Sequence, residues 1–288
     1  VTEASDAREE MMTRGHSSPP FWPRPNSFLA SLRGERSPQA FMWITLPSTE
    51  VVEMAGALGL DCVVVDQEHS SMSLERVQQL VAAAQGAGMT ALVRAETPNA
   101  DVARLLDLGA QGIVFPRISS ATQARRAAAA MCFPPDGSRG WSGAHARSVR
   151  WTGTTAEGGT DPRLLSPEYL RASDASLARI FMIEDEQGAA EIDRILDDGK
   201  PDGVVFGWGD LSVTVGFDSD RVQAARSVVF DACRRRGIGV AISVVPPDRT
   251  EFYPGCFFSA GVDSTLLSAA LGARLAAVRE RSSGPSGG

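Results

Sequence analysis

Lysine is almost missing from this 288-residue chain: of its 28 basic residues, Lys200 is the only one that is not arginine. That shortage nearly excludes a mechanism built on a Schiff-base lysine. Lys200 itself stands in Asp198-Gly199-Lys200-Pro201-Asp202, a turn before a strand, at the end opposite the usual active face of a barrel. Cysteine is scarce too, and Cys62, Cys132, Cys233 and Cys256 form no Cys-x-x-Cys pair. They read as reduced, mostly buried thiols of a cytoplasmic protein, not as a disulfide framework or zinc site. The net charge of −7 comes with no basic stripe, which argues against nucleic acid as a partner. No run of about 18 apolar residues occurs, and the polar, acidic N-terminal stretch has no apolar signal core, so neither membrane nor export is expected. There is no Gly-x-Gly-x-x-Gly after the first strand-like run, which counts against a dinucleotide fold. A Gly-x-Ser-x-Gly elbow and a Ser–His–Asp order are also missing, which counts against serine hydrolysis.

What is present is a rhythm. From Phe41 the chain alternates apolar, β-branched runs with amphipathic stretches. Eight runs read as strands: 41–47, 62–66, 90–96, 112–118, 178–185, 203–210, 237–243 and 257–263. Between them lie helical patterns, among them Leu74 to Gln85, Ala121 to Met131 and Val222 to Arg236, with Gly86, Gly109 and Gly237 placed as left-handed helix ends. Eight such units point to a single-domain α/β (β/α)8 TIM barrel over 25–281; an open doubly wound sheet is the other candidate. Residues 1–24, polar and then proline-rich, are expected to be a disordered or loosely packed leader, and 282–288 a flexible tail. Cys132 to Leu177 breaks the rhythm with a long interval of the kind that usually carries function.

Chemistry concentrates where the strand-like runs end, the face on which barrel enzymes work. Cys62-Val63-Val64-Val65 runs directly into Asp66-Gln67-Glu68-His69, two carboxylates and an imidazole within four residues. Arg94 interrupts the third run and Glu184 the fifth, with Asp185 beside it; Asp210 ends the sixth. Charges at such positions are costly unless paired or bound to a cation. Two readings follow for Arg94 and Glu184. They form a buried ion pair with each other, or Glu184 joins Asp210 from the next strand in holding a hard divalent cation. Mg²⁺ needs only one or two protein carboxylates. His16 and His145 lie in the leader and the long interval and carry no comparable pattern. Trp43, Trp141 and Trp208 are candidates to shape the mouth.

Taken together, these residues resemble the HpcH/HpaI aldolases, the metal-dependent (class II) pyruvate aldolases. The resemblance runs from about Phe41 to Val278. Its marks are Asp66-Gln67-Glu68-His69, Val93-Arg94, Leu105-Leu106-Asp107-Leu108-Gly109, Phe133-Pro134-Pro135 with Gly137 and Arg139-Gly140, Ile183-Glu184, Gly207-x-x-Asp210-Leu211-Ser212, and Gly261 to Leu267. It implies that Glu184 and Asp210 hold Mg²⁺ or Mn²⁺, with Co²⁺ also acceptable, and that the keto acid binds the same ion. It further implies that Arg94 faces the ketone oxygen and stabilises the enolate, and that the N–H groups around Gly209 and Asp210, beside Trp208, receive the keto-acid carboxylate. His69 becomes the acid/base, helped by Asp66 and by Asp107 from a neighbouring subunit. The chemistry is consistent: a retro-aldol step leaves an enolate, and an arginine plus a divalent ion stabilise that charge where it develops. An imidazole titrates close enough to neutrality to move a proton in either direction.

Two departures bear on specificity. Some members have Gln where Met182 stands here, and the Gly-Pro-x-Asp turn becomes Gly207-Trp208-Gly209-Asp210. The reaction expected is cleavage or formation of a C–C bond between a 2-keto acid and an aldehyde. Decarboxylation of an oxaloacetate-type acid or a biosynthetic addition would use the same enolate; a silent barrel kept for ligand binding or assembly is the alternative outside catalysis. The resemblance also implies a homo-oligomer, a hexamer with C-terminal helices exchanged. The apolar stripe Leu266, Leu267, Leu271, Leu275 and Val278 suits such an exchange.

Overall fold

The computed structural model describes residues 25–97, 102–142, 146–148, 162–243 and 253–282. The expected leader over 1–24, His16, His145, residues 149–161 of the long interval and the tail from 283 lie outside the described residues.

Eight strands, β1 (Ala40–Ile44), β2 (Cys62–Asp66), β3 (Thr90–Arg94), β4 (Gly112–Phe115), β5 (Ala178–Ile183), β6 (Gly203–Phe206), β7 (Gly239–Ser243) and β8 (Phe257–Val262), pair in parallel in chain order, and β8 closes onto β1. The fold is the (β/α)8 barrel that the eight apolar runs implied. The helices are α1 (Ser27–Leu32), α2 (Thr49–Ala57), α3 (Leu74–Gly86), α4 (Ala103–Asp107), α5 (Ala121–Met131), α6 (Pro167–Ala175), α7 (Glu186–Ala190), α8 (Ile192–Gly199), α9 (Trp208–Thr214), α10 (Ser219–Arg236) and α11 (Asp263–Ser282). No helix among the described residues is long and apolar enough to cross a membrane.

Side chains alternate across each strand, and that period of two sorts the core into two layers. Phe41, Cys62, Val64, Leu92, Val114, Ile180, Met182, Val205 and Phe257 fill the inside of the barrel. Val63, Val65, Ala91, Val93, Ile113, Phe181, Ile183 and Val204 face outward under the helices. The next inward positions above Val64, Leu92 and Met182 are Asp66, Arg94 and Glu184. Strand parity alone therefore aims three ionisable side chains into one mouth. The other end is closed by α1: Phe28 meets Phe41 and Phe257 edge-on, at 6.5 and 5.6 Å between ring centres. Asn26 ties that plug down by donating to the Gln111 and Ser176 carbonyls at 2.7 and 3.0 Å.

Several boundaries differ from the sequence pattern. Gly86 is the last residue of α3, and the left-handed position falls at Gly88 (φ 82°); Gly109 and Gly237 are left-handed as expected. Lys200 caps α8 in the left-handed conformation (φ 45°), before β6 and away from the mouth. α11 runs straight off β8 with Leu266, Leu267, Leu271, Leu275 and Val278 each about half exposed.

Candidate active site

Asp66 ends β2 directly opposite Arg94 on β3. Its carboxylate, 1% exposed, accepts the Arg94 Nε–H on Oδ1 at 2.9 Å, with Nη2 on Oδ2, a two-pronged fork. Oδ1 also accepts the main-chain N–H groups of Glu68 and His69, at 2.9 and 3.3 Å, so the same carboxylate folds the Asp66–His69 turn. Below the guanidinium, the Trp43 ring lies 4.8 Å from Cζ, a cation–π contact. Arg94 is thus fixed in direction on two sides. A buried Arg94–Glu184 pair was one of the two readings open from sequence; the structure gives Arg94 to Asp66 instead.

Glu68 is the residue whose part the sequence pattern undersold. Its side chain is 4% exposed and lies within reach of two guanidiniums and an imidazole: Arg94 Nη1 at 3.3 Å, Arg117 Nη2 at 3.1 Å and His69 Nε2 at 3.8 Å. Burial pushes its carboxyl upward, against the pull of Arg94, His69 and Arg117. The His69 side chain is 60% exposed at the rim. Glu68, not Asp66, is thus the carboxylate beside the imidazole.

Glu184 follows β5 at 3% exposure, and its buried Oε1 has no hydrogen-bond partner among the described residues. Its carboxyl is pushed up to about 7, first by burial and then by the charges of Glu68 and Asp210, with Arg94 and the Arg117 main-chain N–H pulling against them. The space it occupies exists because residue 207 is glycine: a Cβ there would stand 2.4 Å from Glu184 Cγ. Gly207 also starts α9, whose first turn holds Trp208, Gly209 and Asp210 at the surface with no side chain capping it. Asp185, in contrast, is spent structurally. Its Oδ1 caps α7 by accepting the Gly188 N–H at 2.6 Å, and Ser119 donates to Oδ2.

The remaining candidates lie elsewhere. Asp107 ends α4 at the opposite face of its own barrel, 3.3 Å from Arg139 Nη2. Trp141 lines a cavity there with Asp107 and Arg139, so it does not shape the mouth of its own chain; Trp208, 65% exposed, stands at that mouth. None of the four cysteines forms a disulfide, and burial pushes the Cys233 thiol up to about 12.

The donor set fits a hard divalent cation. When all are ionised, the carboxylates of Asp66, Glu68, Glu184 and Asp210 outnumber the guanidiniums of Arg94 and Arg117 by two charges. An orphaned buried carboxylate oxygen at the centre of that excess is where a cation would be most stabilised. Among the described residues no three His, Cys, Asp or Glu side chains are grouped closely enough to cage an ion. Two carboxylates with water and substrate completing the shell is the habit of Mg²⁺.

The family model for HpcH/HpaI aldolase/citrate lyase matches residues 39–269. The chain belongs to this family. It is 31% identical over 273 residues to the 4-hydroxy-2-oxo-heptane-1,7-dioate aldolase of Salmonella typhimurium, covering 91% of this chain and 98% of that one. The Escherichia coli aldolase of the same name is 30% identical over 253 residues, 85% of this chain and 92% of the other. Among solved structures, an HpcH/HpaI aldolase/citrate lyase family protein from Burkholderia cenocepacia superposes with a TM-score of 0.76 at 26% identity, over 88% and 99% of the two chains. Macrophomate synthase shares the fold, with a TM-score of 0.77 at 22% identity over 93% of each chain. The protein is accordingly an enzyme, a carbon–carbon lyase of the aldolase type, and aldolases of this class generally depend on a divalent metal.

Proposed function

We propose that the enzyme makes and breaks its C–C bond through the enolate of a pyruvate-type 2-keto acid, with an aldehyde as the other partner. The observation that carries this is the buried Glu184 Oε1, without a hydrogen-bond partner among the described residues, beside a guanidinium already fixed by Asp66 and Trp43. Glu184 and Asp210 would hold Mg²⁺ or Mn²⁺, with Co²⁺ as a substitute. Bound there, the ion supplies Lewis-acid stabilisation of the charge that builds on the ketone oxygen.

The chain's own groups do the rest. Arg94 has two donors engaged by Asp66 and leans a third towards Glu68, so its planar fork is held ready to stabilise the enolate oxygen with no reorganisation. The first-turn N–H groups of α9, at Gly209 and Asp210, have no partner within the helix and suit the keto-acid carboxylate. In the cleavage direction His69 takes the proton of the aldol hydroxyl. The C–C bond then breaks, its electron pair stays with the keto-acid fragment as the enolate, and the carbonyl of the aldehyde forms. Protonation of the enolate carbon ends the cycle. Asp66 supports His69 through its main chain, and Asp107 acts on the neighbouring subunit's mouth.

That last role needs an oligomer, and the reading includes one: a hexamer in which α11 crosses to a neighbour. β8 is left partly open on its outer side at Ala260 while the apolar stripe of α11 faces solvent, so a partner's helix has both a seat and a reason to move. Four cysteines without a disulfide support a cytoplasmic location as part of this reading.

Exchange of the pyruvate methyl protons with deuterated solvent, followed by NMR, tests the enolate without naming an aldehyde. Exchange should need Mg²⁺ or Mn²⁺ and fall at least about 100-fold in Glu184→Ala and in Arg94→Ala. Undiminished exchange in excess chelator would end the reading.

A further inference from the structure

Sequence pattern alone does not single out Arg117, yet the structure sets it on an unusual backbone beside the mouth. Its backbone is left-handed, φ 49°, a region that a residue with a Cβ occupies only where its surroundings hold it. Here Ile118 does the holding: it is fully buried, and its N–H donates to the Met182 carbonyl at 3.0 Å. The resulting turn brings the Arg117 guanidinium to the mouth, with Nη2 3.1 Å from Glu68 Oε1. The other Glu68 oxygen lies 3.3 Å from Arg94 Nη1, so one buried carboxylate joins an inner guanidinium to an outer one.

The two differ in access. The Arg94 side chain is 12% exposed and Arg117 is 55% exposed. A half-exposed ion pair adds little to stability, and Glu68 already has Arg94, so pairing alone gives the outer guanidinium little to do. Charge counting gives it more. Among the described residues, one divalent ion would neutralise these four carboxylates and two guanidiniums; without Arg117 the same set would stay negative even with that ion bound. A keto acid brings a further negative charge. A second anionic reactant would then meet repulsion at the rim unless a cation stood there.

We infer that Arg117 is a specificity-determining residue that binds an anionic group, a carboxylate above all, carried by the electrophile beyond its carbonyl. This rests on the enolate reading proposed above. Arg94 serves the keto acid deep in the mouth, and Arg117 serves the second reactant at its edge. Met182, apolar and buried below Glu184, offers no competing polar contact.

The test compares two aldehydes of equal length, 5-oxopentanoate and pentanal, as acceptors for pyruvate with the Mg²⁺-loaded full chain. The readout is the ratio of their kcat/KM values, which is insensitive to the fraction of a variant that folds. The ratio should be about 10 in the parent enzyme, near 1 in Arg117→Met, and intermediate in Arg117→Lys, which keeps the charge without the fork. Arg117→Glu should favour pentanal. Equal ratios in the parent and Arg117→Met, or a parent ratio near 1, overturn the inference. Deuterium exchange into pyruvate by the parent enzyme separates the two levels. No exchange means the enolate reading has failed and this one with it; exchange with an unaltered ratio means that only the role of Arg117 is wrong.

Discussion

Replacing Glu184 with Gln should make the metal-free protein more stable at neutral and alkaline pH, although it destroys the cation site. The carboxyl is 3% exposed and lies near the charges of Glu68 and Asp210, which together with burial raise it from 4.5 to about 7. A folded-state value above the unfolded one means the folded protein binds that proton more tightly. The benefit is complete below about pH 4.5, the unfolded value, and is lost progressively as pH rises to the folded value near 7. The shift spans roughly 2.5 pH units, and at about 1.4 kcal/mol per unit the ionised carboxylate costs the metal-free fold about 3 kcal/mol above pH 7. Gln keeps the shape and never ionises. In chelator, urea denaturation at pH 8 should therefore show Glu184→Gln about 3 kcal/mol more stable than the parent, with the gap closing towards pH 4.5. A cation must displace the same proton, so parent Mn²⁺ affinity should weaken about tenfold for each pH unit below 7. Equal stability of parent and variant at pH 8, or a gap that widens towards acid, would refute the electrostatics assigned to this site.

Gly207→Ala places a methyl group against the Glu184 side chain, so calorimetric titration should show at least about tenfold weaker Mg²⁺ binding, with a loss of about 1–3 kcal/mol in stability. His69→Ala should lower aldol cleavage by about 10²–10⁴-fold while decarboxylation of oxaloacetate, which involves no hydroxyl proton, falls far less. Equal losses in the two reactions with metal still bound would put His69 in enolate formation instead. Combining Leu271→Asp with Leu275→Asp should leave single chains by light scattering; a parent protein that is already monomeric would remove both the helix exchange and the role of Asp107.

The barrel was legible because its strands obey a period of two and end in charge. Val64 and Asp66, Leu92 and Arg94, Met182 and Glu184 share a parity, so the inward direction of the three ionisable groups follows once each run is recognised as a strand. Partners were not legible in the same way. Arg94 and Glu184 looked like a pair because both interrupt apolar runs, but register sets Asp66 opposite Arg94, and register is a property of two strands together. Arg117 was hidden in the apolar reading of 112–118, since nothing in Phe115-Pro116-Arg117-Ile118 announces a left-handed residue. The available signal was a proline at the end of a run, which stops the strand at Phe115 and leaves the next side chain at the rim. Trp208 to Asp210 were likewise folded into the sixth run, whereas Gly207 ends the strand and α9 begins at once. Asp107 was read only through the resemblance, and its own barrel sets it beside Arg139 at the end away from the mouth.

The choice of Asp66 over Glu184 as the partner of Arg94 decides what the mouth can do. Had Arg94 closed on Glu184, both charges would be satisfied, and neither would have reason to meet a ligand. In the observed arrangement, Arg94 is held from behind by a carboxylate on the neighbouring strand and from below by Trp43, which fixes its direction while leaving its charge to face the pocket. Glu184 is left with an unpaired buried oxygen and a carboxyl near neutrality, a state that costs stability until a cation arrives. The same residues therefore store an unsatisfied charge and aim a satisfied one, and the binding of a cation to the first is what would turn the second into a site for an enolate. Asp66→Asn, which takes away the charge that holds Arg94 from behind, should therefore lower metal-free stability and depress pyruvate exchange together; exchange that survived undiminished would show that the fork from Asp66 is dispensable.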